Sequence, residues 1–365
     1  MIYFDHNATT PLDERVLEEM LPFLGQLYGN PSGLYRLARV SRSAMETARE
    51  HIAQLVNAEP EHIVFTSGGT EANNVALKSG LIKKHLITSA IEHPSIIKSL
   101  PNNGAKKTII GVTEQGIISS QEISDSADFD FASFMMVNNE TGVIQDIKKI
   151  TQLVKKRGAL IHTDAVQALG KIPVDFQDLG VDLMSLSSHK IYGPKGCGAL
   201  ISKQTDLMQN FMTGGGQEQG LRAGTENVAA IVGFGKAAEL AKLELQERQA
   251  HTLKLRNYLE QQLYRVSSVK VFSEHVPRIS NTVQMGIQGC IGEMLLMQLD
   301  QKNIAVSSGS ACASNEEASS HVLGAMNIEP QLAQSAIRVS LGKNNTLEEI
   351  DVFVQELKQI ITKNR

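Results

Sequence analysis

The stretch IVFTSGGTEANN, residues 63–74, is where the pattern of the chain changes. Three apolar residues run through Thr66, Ser67 and two glycines into a segment that reads as a helix from about Thr70. The alternation then repeats: LIT near Leu86, TIIGV near Thr108, FMMV near Phe134, LIHT near Leu160 and DLMSLS near Asp182, with helical stretches between. Short apolar strands alternating with helices specify a parallel, doubly wound α/β sheet. Polar motifs follow most of these strands directly: SGGTEANN, EHPSI, NNETG, DAVQ and SSHK. In open α/β sheets ligands bind beyond the carboxyl ends of the strands, so motifs at five strand ends point to one site.

Outward from this region, TPLDERVLEEMLPFL reads as a helix with Thr10 as N-cap and Pro11 in its first position. A second helix is expected from about Arg36 to Asn57, where Leu37, Val40, Ala44, Ala48, Ile52 and Leu55 recur at helical spacing. Residues 238–265 read as one long helix leading to a smaller domain in the C-terminal third. The acidic stretch SSQEISDSADFD reads as a solvated surface connection.

At 365 residues the chain can bury a sizeable core and form two domains. Hydrophobic residues at 42% and charged residues at 20% place it in the soluble globular class. A net charge of −4 gives no electrostatic footprint for nucleic acid or an anionic membrane. No apolar run approaches the roughly 20 residues that span a bilayer. MIYFDHNATTP has no basic segment leading an apolar one, so a cytoplasmic protein is expected. The three cysteines, Cys197, Cys290 and Cys312, are neither a disulfide framework nor spaced as a metal cluster.

Each motif has a bland and a sharp reading. SGGTEANN is either a tight turn or an anion site at a helix N-terminus, with Thr70 adding its hydroxyl; it matches neither GxxxxGK[ST] nor GxGxxG. Asp164 either caps a following helix or, buried, holds a protonated heterocyclic nitrogen. His93 is either structural or a flat polar surface for an aromatic ligand. Lys190 is either a solvated strand-end lysine or an amine nucleophile. Taken together, anion site, carboxylate, histidine and lysine are the set that pyridoxal 5'-phosphate requires. Cys312 lies in AVSSGSACASNEE, a run with little to pack, which favours a reactive thiol in an exposed loop. Cys197 and Cys290, beside glycines and apolar residues, read as structural.

YFDHNATTP, GNPSG, FTSGGTEANN, EHPSI, VNNETGVIQ, HTDAVQALGK, SSHKIYGPKGCGAL, GGGQEQGLRAGTEN, SSGSACAS and IRVSLG occur in this order. Together they resemble the NifS/IscS-type cysteine desulfurases, within the class V aminotransferase-like, fold type I pyridoxal phosphate enzymes. The resemblance implies a large domain over 14–255 with a mainly parallel seven-stranded sheet. It also implies a smaller α+β domain formed by 1–13 and 256–365, carrying the Cys312 loop. It makes Lys190 the amine that bonds the cofactor's aldehyde, Asp164 the partner of the pyridine nitrogen, and Gln167 a donor to the ring hydroxyl. His93 stacks on the ring and moves protons; Thr70, Ser187 and His189 hold the phosphate, and Thr225 reaches the phosphate in the other subunit of a homodimer. Arg338 clamps the substrate carboxylate with help from Asn139, and Cys312 is the nucleophile. The implied activity converts L-cysteine to L-alanine with sulfur passing to Cys312 as a persulfide, then to an acceptor protein. Selenocysteine lyase is the alternative activity. The chain ends soon after a last helix, TLEEIDVFVQELKQIITKNR, whereas housekeeping members have a longer tail that docks an iron–sulfur scaffold. The expected acceptor therefore belongs to iron–sulfur assembly, tRNA thiolation or DNA sulfur modification. His6 replaces another polar residue common in relatives, with no functional change expected.

Overall fold

The computed structural model describes residues 1–81, 85–100, 106–204, 207–208, 212–308 and 320–363. Its central sheet has seven strands: β2 (Ile63–Thr66), β3 (His85–Ser89), β4 (Lys106–Ile110), β5 (Phe131–Met135), β6 (Leu160–Asp164), β7 (Leu183–Ser187) and β8 (Gly198–Ser202), preceded in the chain by β1 (Ile2–Tyr3). The spatial order is β2-β8-β7-β6-β5-β3-β4. Only β8 runs against the rest, pairing antiparallel with both β2 and β7. The carboxyl ends of β2, β3, β5, β6 and β7 therefore lie along one edge, and the five polar motifs start there.

β2, β3, β5, β7 and β8 are buried at every position, as a sheet covered on both faces requires. One cover is α8 (Val228–Leu243), packed on α1 (Glu14–Gly25) and α2 (Arg36–Val56). Another is α3 (Gly69–Leu81), over β7 and β8. On the second helix the sequence reading holds to one residue: α2 ends at Val56, with Asn57 left-handed as C-cap.

The structure corrects three local expectations. The N-cap of α1 is Asp13, whose side chain accepts from the Arg15 amide, and Pro11 lies outside the helix. Thr10 is instead used at long range: its hydroxyl donates to the His189 carbonyl at 3.0 Å and accepts from the Tyr192 amide at 2.8 Å. The expected helix over 238–265 is two helices, α8 and α9 (Leu245–Leu263), parted at Glu244, which leaves helical angles. Neither Gly nor Pro marks the break; the Glu244 carboxylate is drawn to Arg15 of α1 at 2.6 Å and to Arg248 at 2.7 Å. Within the acidic stretch, Ser120–Asp125 forms a short helix capped by Ser119, with Ile123 and Phe129 buried.

A second core gathers Leu255, Leu259 and Leu263 of α9 with the strand Thr282–Ile287, the strand Ile337–Ser340 and the helix Leu347–Lys363. Phe4 completes it, edge-on to Phe353 at 5.9 Å. The N-terminal segment thus crosses from this core to the carboxyl edge of the large sheet: Ile2 and Tyr3 pair with Ile304 and Ala305, and Asp5 bridges to Ser340.

Candidate active site

Three networks meet at the carboxyl edge. The first holds Asp164, the last residue of β6. It is buried, and its carboxylate accepts from the Val166 amide at 2.9 Å and from Asn73 Nδ2 at 2.7 Å. Turns follow Asp164, so it caps no helix. Asn73 Nδ2 also donates to Ser95 Oγ at 2.9 Å, and Ser95 Oγ lies 2.7 Å from His93 Nδ1. Because His93 Nδ1 accepts from the Ser95 amide, the neutral ring carries its proton on Nε2. Burial, helped by the charge of Lys190 and opposed by Asp164, pulls the His93 imidazolium below the ordinary histidine range.

The second network centres on Asn7. Its main-chain carbonyl accepts from Lys190 Nζ at 2.7 Å and from Gln167 Nε2 at 2.8 Å. Lys190 Nζ also reaches the Ala8 carbonyl at 2.6 Å. Asn7 Nδ2 donates to the Asn139 carbonyl at 3.2 Å, where Arg338 also donates at 2.9 Å. Arg338 is buried and ion-pairs with Asp5 at 2.6 Å, while its Nε is buried with no partner. Lys190, Gln167, Asn139 and Arg338, spread over 200 positions, are thus tied to one N-terminal segment. Asn7, Asn73 and Lys171 have no role that sequence reasoning assigned; the quoted motifs contain all three, but only their contacts mark them.

The third network is a set of hydroxyls without partners. Ser187 Oγ and Ser188 Oγ are buried and unpaired at the end of β7. A Cβ placed on Gly69 would lie 3.5 Å from Ser187 Cβ, so Ser187 adjoins the first turn of α3, whereas Ser188 Oγ lies against Gly193. First-turn amides lack intrahelical partners and carry the positive end of the helix dipole. Buried polar groups are costly unless paired, and a phosphate at this spot would pair Ser187 Oγ. Thr70 is exposed on the same turn. His189 Nδ1 meets Thr9 Oγ1 at 3.2 Å, and burial with the Lys190 charge pulls its pKa down to about 4, so the ring is neutral.

Thr225 is exposed in the loop before α8, whose Arg222 pairs with Glu71 of α3 at 3.0 Å. Cys312 lies outside the described residues. Cys197 is buried and Cys290 half-buried.

Residues 2–353 match the model of the family described as aminotransferase class-V. The "Cysteine desulfurase IscS" of Dictyoglomus turgidum is 40% identical over 375 residues, spanning 100% of this chain and 95% of that protein. The chain belongs to the NifS/IscS-type cysteine desulfurases of the class-V aminotransferase family. A solved structure titled "NIFS-LIKE PROTEIN" superposes with a TM-score of 0.93 at 36% identity, covering 99% of both chains. Another, "SspA in complex with cysteine", gives a TM-score of 0.84 at 32% identity, covering 95% of this chain and 100% of that one. Members of this desulfurase family depend on pyridoxal phosphate, and the buried carboxylate, lysine amine and unpaired Ser187 hydroxyl fit that group. Among the described residues no helix is long and apolar enough to cross a membrane.

Proposed function

We propose that the protein binds pyridoxal 5'-phosphate at this edge and converts L-cysteine to L-alanine, passing sulfur to Cys312. The observation that carries the reading is the convergence of the Lys190 amine, the buried Asp164 carboxylate and the unpaired Ser187 hydroxyl. Bound there, the cofactor supplies an electron sink for the substrate's Cα.

The chain's own residues do the rest. Asp164, held by Asn73, keeps a proton on the ring nitrogen. Gln167 would donate to the ring hydroxyl, and His93 would stack on the ring with Nε2 as its proton-bearing atom. Thr70, Ser187 and His189 would hold the phosphate, with Thr225 contributed across a homodimer. Leu21, Leu24, Tyr28, Leu34 and Tyr35 are exposed, and we assign them to that dimer. Arg338, released from Asp5 by a competing carboxylate, clamps the substrate with Asn139 beside it. The amine of Lys190 removes the Cα proton. The Cys312 thiolate attacks the substrate sulfur; the carbon–sulfur bond breaks, Cβ keeps the electron pair and takes a proton, Lys190 returns a proton to Cα, and Cys312 is left as a persulfide. That sulfur goes to an acceptor protein in the cytoplasm, for iron–sulfur assembly or another thiolation pathway.

Alanine and sulfide release from L-cysteine with a thiol reductant tests this. Native protein is expected to release both in equal amounts, Lys190→Ala and Cys312→Ala neither. A fully active Cys312→Ala would overturn the persulfide and favour direct elimination, as in a selenocysteine lyase.

A further inference from the structure

Lys171 has no place in the proposed chemistry, yet it sits inside the Asn7 network. Its Nζ lies 2.5 Å from Gln167 Oε1 and 2.9 Å from Asn7 Oδ1. Main-chain carbonyls fix the polarity of both amides. Asn7 Nδ2 faces the Asn139 carbonyl and Gln167 Nε2 faces the Asn7 carbonyl, and a carbonyl can only accept. The oxygens of both amides must therefore face Lys171, which donates to each.

The backbone is built to bring it there. Gly170 adopts φ +65°, and a Cβ on it would meet Ile191 Cγ2 at 2.7 Å, so the turn before Lys171 packs directly on the turn that carries Lys190. A cavity of about 30 Å³, room for a water, touches both lysines. Every charged group lining it is basic: Lys171, Lys190, Arg248 of α9 and Lys343, with His6 beside them. Burial and the charges of Lys190 and Arg338 push the Lys171 amine well below the ordinary lysine range. A surface lysine would avoid such a position.

We propose that Lys171 is a positioning residue that locks and polarises the Gln167 amide, so that Gln167 presents an N–H donor to the cofactor's ring hydroxyl. This rests on the reading of Gln167 given above. Donation to Oε1 strengthens the N–H on the other end of the same amide. A stronger donor stabilises the ionised ring oxygen and lowers the pH at which the bound cofactor loses its proton.

The experiment is a pH titration of the visible absorption band after adding pyridoxal phosphate to native protein, Lys171→Met, Lys171→Arg, Gln167→Leu and the Lys171→Met/Gln167→Leu double variant. Lys171→Met is expected to move the midpoint upward by about one pH unit. Lys171→Arg, which keeps a donor, stays near native. Gln167→Leu shifts it at least as far, and the double variant shifts no further than Gln167→Leu alone. Additive shifts in the double variant, or an unmoved midpoint in Lys171→Met, would overturn the proposal while leaving the cofactor reading intact. A native protein that develops no band, or a band that survives in Lys190→Ala, overturns both.

Discussion

Asn73 gives both hydrogens of one amide nitrogen to the site, 2.7 Å to Asp164 Oδ2 and 2.9 Å to Ser95 Oγ. One helical residue of α3 thereby holds the carboxylate at the end of β6 and the cap that orients His93. Asn73→Ala leaves a buried carboxylate oxygen without its donor. The expected loss is about 1–3 kcal/mol in urea unfolding of the cofactor-free protein. Unchanged stability would show that the bond adds nothing.

Glu92 gives a pH test with a defined sign. Burial is the main cause that lifts its carboxyl from 4.5 to about 8, with the Asp164 charge adding to it. The folded chain therefore keeps a proton that the unfolded chain has released. The stability this contributes is present below pH 4.5 and is lost as pH rises through 8. Glu92→Gln carries no such proton, and its amide oxygen can still accept from Ser89 Oγ and the Met135 amide, as Glu92 Oε1 does. The variant should gain on native protein by roughly a few kcal/mol between pH 4.5 and 8, and no more above that. A constant difference in urea midpoints at pH 5, 7 and 9 would contradict the shift.

Arg49 and Glu218 form a bidentate buried pair at 2.9 and 3.1 Å that fastens α2 to the loop before α8. Glu218 also accepts from the Phe65 amide at 2.8 Å, and the guanidinium lies 4.6 Å from the Phe65 ring centre. Glu218→Ala leaves the buried Arg49 with only the exposed Glu46 as an anionic partner, at 3.2 Å, and should cost about 3 kcal/mol. Arg49→Met with Glu218→Leu should cost clearly less than the sum of the single changes, as read from denaturation midpoints.

Burial pushes the Cys197 thiol up to about 12. Iodoacetamide at pH 8 should leave Cys197 unmodified in folded protein and label it once urea unfolds the chain. Mass spectrometry of the Cys197 peptide reads the result, and rapid labelling of folded protein would refute an inert, structural cysteine.

Much of the fold is legible because local signals and tertiary structure agree. The apolar runs at 63, 86, 134, 160 and 183 are too short and too continuous for surface helices, and each becomes a buried strand. Their common direction then puts the ends of β2, β3, β5, β6 and β7 on one edge, so polar motifs separated in the chain become neighbours. Ten ordered motifs were enough to name the family. Where local signals compete, the reading fails: Thr10 and Asp13 are both good caps, and the choice turns on Thr10 being claimed by His189 and Tyr192, about 180 residues away.

The sequence by itself determined the strand–helix alternation, the position of the polar edge and the chemistry of its lysine, carboxylate and imidazole, because these depend on side-chain type and short-range periodicity. Only the tertiary structure decided that Asn7 joins Lys190, Gln167, Asn139 and Lys171, that Arg338 rests on Asp5, and that the helix after 238 breaks at Glu244 toward Arg15. Those contacts span 132 to 333 positions. A hydrogen bond of that span leaves no periodicity in the chain, since it exists only once packing has brought its ends together.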